Sequence, residues 1–181
     1  MNTLPNDYQN FIALSRYARW LPEKKRRETW KETVARYFDF MEEHLIENTK
    51  LGDVTDKLDP KTRKILENAV LNLEVMPSMR ALMTAGKALK ENNIAGYNCA
   101  YLSVDHWKAF DECLYVLMHG TGVGFSVERQ FVTKLPEVPP VMVDVDDVVV
   151  VVDSKEGWQS AFRKLITYLY DGEMPKWDFS K

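Results

Sequence analysis

Only two cysteines, Cys99 and Cys113, occur among the 181 residues. Two thiols exclude a disulfide scaffold and a four-cysteine zinc site, and no C-x-x-C pair is present. An excess of one charge is also lacking: Lys plus Arg total 24 against 27 for Asp plus Glu, a net charge of −3. That balance gives no reason to expect nucleic acid or an anionic membrane as the main partner. No apolar run reaches the length of a membrane span. The first residues, MNTLPNDYQN, lack the basic-then-apolar order of a secretory signal. A cytoplasmic, reducing setting is therefore expected. His44, His106 and His119 are not paired at ligand spacing, and Asp144, Asp146, Asp147 and Asp153 are interrupted by valines. No metal site is expected.

What the chain does contain is core-forming material. It is 45% hydrophobic, with five Trp, eight Tyr and eight Phe, which excludes wholesale disorder. The length suits one domain or a fragment of a larger one. Residues 1–90 read as a helical region. Residues 6–20 mix Tyr8, Phe11, Ile12 and Tyr17 with polar positions. The basic cluster Lys24, Lys25, Arg26 and Arg27 then opens a longer helix, with Trp30, Val34, Phe38, Met41 and Leu45 on one stripe. Leu51-Gly52-Asp53 ends it. Asp59-Pro60 supplies the cap and first residue of another helix carrying Ile65, Leu66, Ala69 and Val70.

Residues 91–181 read differently. Tyr97 to Val104 is a strand, and Asp105 caps a helix bearing Trp107, Phe110, Leu114 and Leu117, stopped at Gly120. Thr121 to Val127 is a second strand, and 133–146 is an irregular connection. The valine run Val148 to Val152 fits a strand buried on both faces of a parallel sheet. Asp153-Ser154-Lys155-Glu156 resembles a capping box, opening a helix with Trp158, Phe162, Leu165 and Leu169. The tail, Gly172 to Lys181, reads as a loop. A helical layer followed by β-α-β…β-α argues for an α/β sheet or barrel that has only just begun.

Three features invite chemistry. Cys99, in Asn98-Cys99-Ala100 near a strand start, is either a redox thiol or a small core residue. Cys113 falls on an apolar helix face and reads as core. Gly120-Thr121-Gly122-Val123-Gly124 fails the dinucleotide pattern: Phe125 replaces the third glycine, and the order is helix, glycines, strand. It is either a tight helix-to-strand turn or a backbone that something such as a ribose or phosphate can approach. Pro77 to Gly86 offers a hydroxyl and amides to an anion, or is a plain helix start and stop.

Taken together, several phrases match a family. Ser15-Arg16-Tyr17-Ala18-Arg19-Trp20, Arg27-Glu28-Thr29-Trp30, Pro77-Ser78-Met79-Arg80-Ala81-Leu82, Asn98-Cys99-Ala100, Gly120 to Phe125 and Val152-Asp153-Ser154-Lys155-Glu156-Gly157-Trp158 occur in order. Over essentially the whole chain they resemble the N-terminal part of the monomeric, adenosylcobalamin-dependent (class II) ribonucleoside-triphosphate reductases. The resemblance implies a helical N-terminal region leading into the first strands and helices of a ten-stranded α/β barrel, incomplete in this chain. It implies replacement of the ribose 2′-hydroxyl by hydrogen through a thiyl radical on another cysteine. Cys99 matches the first of two reducing cysteines, and Asn98 and Gly122 match positions against the substrate. Ser78 and its followers match the segment near the substrate phosphates. Asp105 and Arg129 fall near positions linked to effectors in other classes and are not assigned.

The remaining catalytic cysteines of the family lie beyond this segment, and Cys113 matches none of them. The chain alone is therefore expected to be inactive, as a split-gene subunit, a truncation or a fragment. The implied partners are a ribonucleoside triphosphate, a dNTP effector, a thioredoxin-like or dithiol reductant, and a second polypeptide carrying the rest of the barrel, with adenosylcobalamin in the complete enzyme. The rival expectations are a non-catalytic nucleotide-binding or regulatory module and a decayed remnant.

Overall fold

A computed structural model describes residues 4–48 and 58–180. The chain divides into two compact units, Met1–Tyr97 and Asn98–Lys181.

The first unit is built mainly of helices. A short helix α1 (Asp7–Ile12), capped by the Asn6 side chain, runs into a π-turn at Ala13–Tyr17. The basic cluster does not open the next helix. It forms a two-residue antiparallel ribbon, β1 (Trp20–Leu21) with β2 (Arg26–Arg27), turned through Lys25 at φ 48°. Four consecutive cations repel one another along a first turn and also oppose the helix dipole, whose N-terminal end is positive. The long helix α2 therefore starts later, at Trp30, and runs to Asn48. Glu32 in its first turn holds Lys24 and Arg26 at 2.7 Å and accepts the Thr29 amide, so its carboxyl lies far below the usual carboxylate range.

On α2, Trp30, Val34 and Phe38 are buried with Ala13, Val70 and Leu82. Each such side chain contributes on the order of 1.5–3 kcal/mol relative to exposure. Met41 packs on a second cluster of Phe40, Ala85, Leu89 and Ala95, whereas Leu45 is exposed. The proposed stop at Leu51-Gly52-Asp53 lies outside the described residues. Helix α3 (Pro60–Leu71) begins as expected: the Asp59 carboxylate accepts the Lys61 and Thr62 amides and Pro60 takes the first position. Of its apolar residues Val70 is buried, while Ile65 and Leu66 are exposed. Two short helices follow, α4 (Met79–Thr84) and α5 (Lys87–Glu91).

One buried carboxylate ties these pieces together. Glu28, 4% exposed, accepts from Arg36 Nε at 2.8 Å, Arg36 Nη2 at 3.1 Å, Thr33 Oγ1 at 3.1 Å and the Arg19 amide at 3.1 Å. Arg36 also donates to the Ala85 and Tyr17 carbonyls.

The second unit holds two β-α-β turns. β3 (Cys99–Ser103), α6 (Ala109–Met118) and β4 (Gly122–Ser126) form the first, with β3 and β4 parallel. After a short helix α7 (Arg129–Val132), β5 (Val143–Val150), α8 (Lys155–Asp171) and β6 (Glu173–Asp178) form the second, again parallel. The sheets are two-stranded pairs, so the mixed α/β class holds while no ten-stranded barrel is present among the described residues.

Four expectations here need correction. The tail is a strand, not a loop. The N–H that Pro175 lacks falls where the ladder with β5 is irregular, between Asp144 and Val148. The valine run is not buried on both faces: Val149 and Val151 are buried with Ala161, but Val148, Val150 and Val152 are exposed. Asp105 does not cap α6, which starts after Lys108; it pairs with Lys134 instead. The α8 cap is Ser154, whose hydroxyl accepts the Gly157 amide. The box is only half made, because a Cβ at position 157 would collide with the Val152 carbonyl oxygen. No helix among the described residues is long and apolar enough to cross a membrane.

Truncating Glu28 leaves the half-buried Arg36 guanidinium without its carboxylate. Glu28→Ala should therefore cost about 3–5 kcal/mol in denaturant unfolding, whereas Lys24→Ala on the exposed pair should cost less than about 1 kcal/mol.

Candidate functional site

β3 forms because Cys99 to Ser103 pairs in register with β4, residue against residue: Cys99 with Gly122, Tyr101 with Gly124, Ser103 with Ser126. In a parallel pair, neighbours across the ladder project to the same face, and alternate residues of one strand share it. One face thus carries the Cys99 thiol, the Tyr101 ring and two glycines whose backbone stands uncovered. Cys99, Tyr101, Gly122 and Gly124 are all exposed. Asn98 leads into the strand, and its carbonyl accepts the Gly122 amide at 3.0 Å. Three expected site residues, Asn98, Cys99 and Gly122, therefore meet at one end of the strand pair.

The helix-to-strand turn is made at Gly120, at φ 81°, a conformation that side chains rarely adopt. Gly122 and Gly124 are different. An added Cβ at 122 would lie 3.6 Å from the Asn98 carbonyl oxygen, and one at 124 would lie 3.9 Å from the Ala100 carbonyl and the Tyr101 ring. These are ordinary contacts. Nothing inside the chain forces glycine there, although glycine within a strand weakens it by roughly 0.5–1 kcal/mol. Such glycines mark places where a ligand or another backbone comes close.

Ser78 belongs to the first unit. It is exposed and sits just before α4, its side chain making no capping bond while its carbonyl accepts the Leu82 amide at 3.0 Å. Cys113 is half-buried on α6, and burial pushes its thiol pKa up. His119 is buried and donates from Nδ1 to the Tyr115 carbonyl, His44 stacks on Phe40, and His106 Nδ1 accepts the Lys108 amide. No metal-binding group of His, Cys, Asp or Glu occurs among the described residues.

The floor of the second unit is set by Asp111, 1% exposed on α6. Its Oδ2 accepts from Arg163 Nε and Nη2 and from Gln159 Nε2, all on α8, at 2.7–3.0 Å. Sequence reasoning does not single out Asp111 or Tyr101. Tyr101 had one legible signal, its spacing two residues beyond Cys99.

Residues 2–87 match the family described as the ribonucleotide reductase alpha domain. Among curated relatives, the adenosylcobalamin-dependent ribonucleoside-triphosphate reductase of Lactobacillus helveticus is 30% identical over 145 residues, covering 67% of this chain and 19% of that protein. The enzyme of the same name from Lactobacillus delbrueckii subsp. bulgaricus is 27% identical over 175 residues, covering 81% and 22%. A crystal structure of a B12-dependent (class II) ribonucleotide reductase aligns with TM-score 0.75 over 94% of this chain and 32% of that one, at 23% identity. The chain is similar to part of a class II ribonucleotide reductase. The likeness in structure shows the fold, and the chain spans about a fifth of the length of the curated relatives it matches.

The two thiols should differ in reactivity. Iodoacetamide is expected to modify Cys99 at least ~10-fold faster than Cys113, because Cys113 is shielded and its thiolate is disfavoured. Peptide mass mapping over time measures both, and equal rates would contradict this placement.

Proposed function

We propose that this chain is a reductase segment that presents Cys99 as one of two reducing thiols beneath a ribonucleoside triphosphate in the cytoplasm. The observation that carries the reading is the in-register pairing of Cys99 with Gly122, which sets a thiol beside uncovered backbone. A sugar resting on Gly122 comes within reach of that thiol, since neighbouring strands lie about 4.8 Å apart. Asn98 borders the same spot, and Ser78 with its followers serves the phosphates. In the net reaction the ribose C2′–O bond breaks and a C2′–H bond forms. Two thiols become a disulfide, and the hydroxyl leaves as water. Cys99 supplies one thiol, and the remainder of the reductase supplies the second. The thiyl radical that removes the 3′-hydrogen is also formed on that remainder.

A dithiol or thioredoxin-like protein restores the thiols, and a dNTP effector acts on the complete enzyme. Adenosylcobalamin also belongs to the complete enzyme. No residue among those described is assigned to hold it. A cleft of about 550 Å³ bordered by Trp107, Val148, Arg163 and Tyr168 is an open crevice, not an enclosure for a macrocycle.

The test assembles this chain with a polypeptide carrying the rest of a class II reductase and assays reduction of a ribonucleoside triphosphate. Cys99→Ser should lower kcat by at least ~10³-fold, the scale expected when an essential reacting group is removed, with nucleotide binding kept. Gly122→Val should instead raise KM, because its side chain covers the backbone. Turnover that survives Cys99→Ser would rule out the assigned role.

A further inference from the structure

We infer that Tyr101 is a substrate-positioning residue whose ring forms the wall against which the substrate's sugar packs beside Cys99. The inference rests on the reading of Cys99 and Gly122 just given and extends it to a side chain that the motif does not include. Tyr101 follows Cys99 by two residues in β3, so both project from one face about 6.6 Å apart along the strand. Tyr101 is 68% exposed. It lies across Gly124, its Cδ2 being 3.9 Å from where a Cβ at that position would stand.

The face is thus stepped: thiol, uncovered Gly122, then an aromatic wall standing over Gly124. An added Cβ at 124 would make only an ordinary contact with the ring, so the chain itself does not require this glycine, and its openness leaves the backbone beside the ring uncovered. Aromatic faces pack against the C–H faces of sugars, and a ring fixed by only two side-chain torsions loses little freedom in doing so. The hydroxyl is not needed for that role, so the ring alone should suffice.

The experiment uses the assembled reductase with Tyr101→Ala, Tyr101→Leu and Tyr101→Phe. It measures kcat and KM for a ribonucleoside triphosphate, and the rate of Cys99 alkylation with and without nucleotide. Tyr101→Phe should behave as the parent. Tyr101→Ala should raise KM at least tenfold with a smaller change in kcat, and should abolish nucleotide protection of Cys99. Tyr101→Leu keeps an apolar strand residue in place and should move the same way, which separates loss of the ring from loss of the strand. Alkylation without nucleotide should be unchanged in every variant. Parent enzyme in which nucleotide protects Cys99, but with KM and protection unaltered in the Ala and Leu variants, overturns the role of Tyr101 alone. Parent enzyme in which nucleotide gives no protection overturns the substrate site itself, and this inference with it.

Discussion

A buried carboxylate gripped by an arginine organises each half of this chain. Removing an ion from water costs several kcal/mol, and that cost is offset only where good geometry and further donors meet the charge. Glu28 meets the condition with two bonds from Arg36, one from Thr33 and one from a backbone amide. The same guanidinium then satisfies the carbonyls of Tyr17 and Ala85, where the π-turn and α4 end. One pair therefore fixes the ribbon, the long helix and two helix ends that hydrophobic contact alone would leave free to slide. In the second unit Asp111 plays the corresponding part. It receives Arg163 and Gln159 on a single oxygen and so sets α6 against α8.

That joint matters because parallel strands cannot be linked by a tight turn. Each pair needs a crossover helix, and the helix decides where the second strand lies. Locking α6 to α8 links the two crossovers to each other. The site inherits the result: the register that sets Cys99 against Gly122 is held by a helix whose own position is fixed by an ion pair with a buried carboxylate.

Local signals were legible in the sequence. Asp59-Pro60 predicted a cap that is made, Gly120 a stop that is made, and β3 and β4 fall within the spans read from partial alternation and from a glycine-spaced, then apolar run. Signals that depend on distant partners were not. β6 contains Glu173, Pro175 and Lys176 and reads as a loop, since only the β5 ladder and the Lys176–Asp146 pair make it a strand. The valine run looks uniformly buried because its composition is uniform, yet the pleat sends alternate residues to opposite sides. Asp105 reads as a cap because a short polar side chain before an apolar run suits that role, but Lys134 is a competing partner 29 residues away. At the site, the identities of Asn98, Cys99 and Gly122 were legible as motifs, while their adjacency is a matter of register that spacing does not reveal.

The exposed end of the β3–β4 pair brings stability and chemistry into conflict at the same residues. A strand is strengthened by branched or aromatic side chains packed across the ladder. Here two of five residues in β4 are glycines, and the face they share holds an exposed thiol and an exposed ring. Covering that face would improve packing and remove the uncovered backbone beside Cys99. The Asp111 joint supplies rigidity from beneath, from the crossover helices, so the strands themselves need not be well packed on top. On the proposed reading, a thiol that meets a sugar requires a fixed position and an open approach together. In this unit the two requirements are met by different elements, helices for the first and glycines for the second.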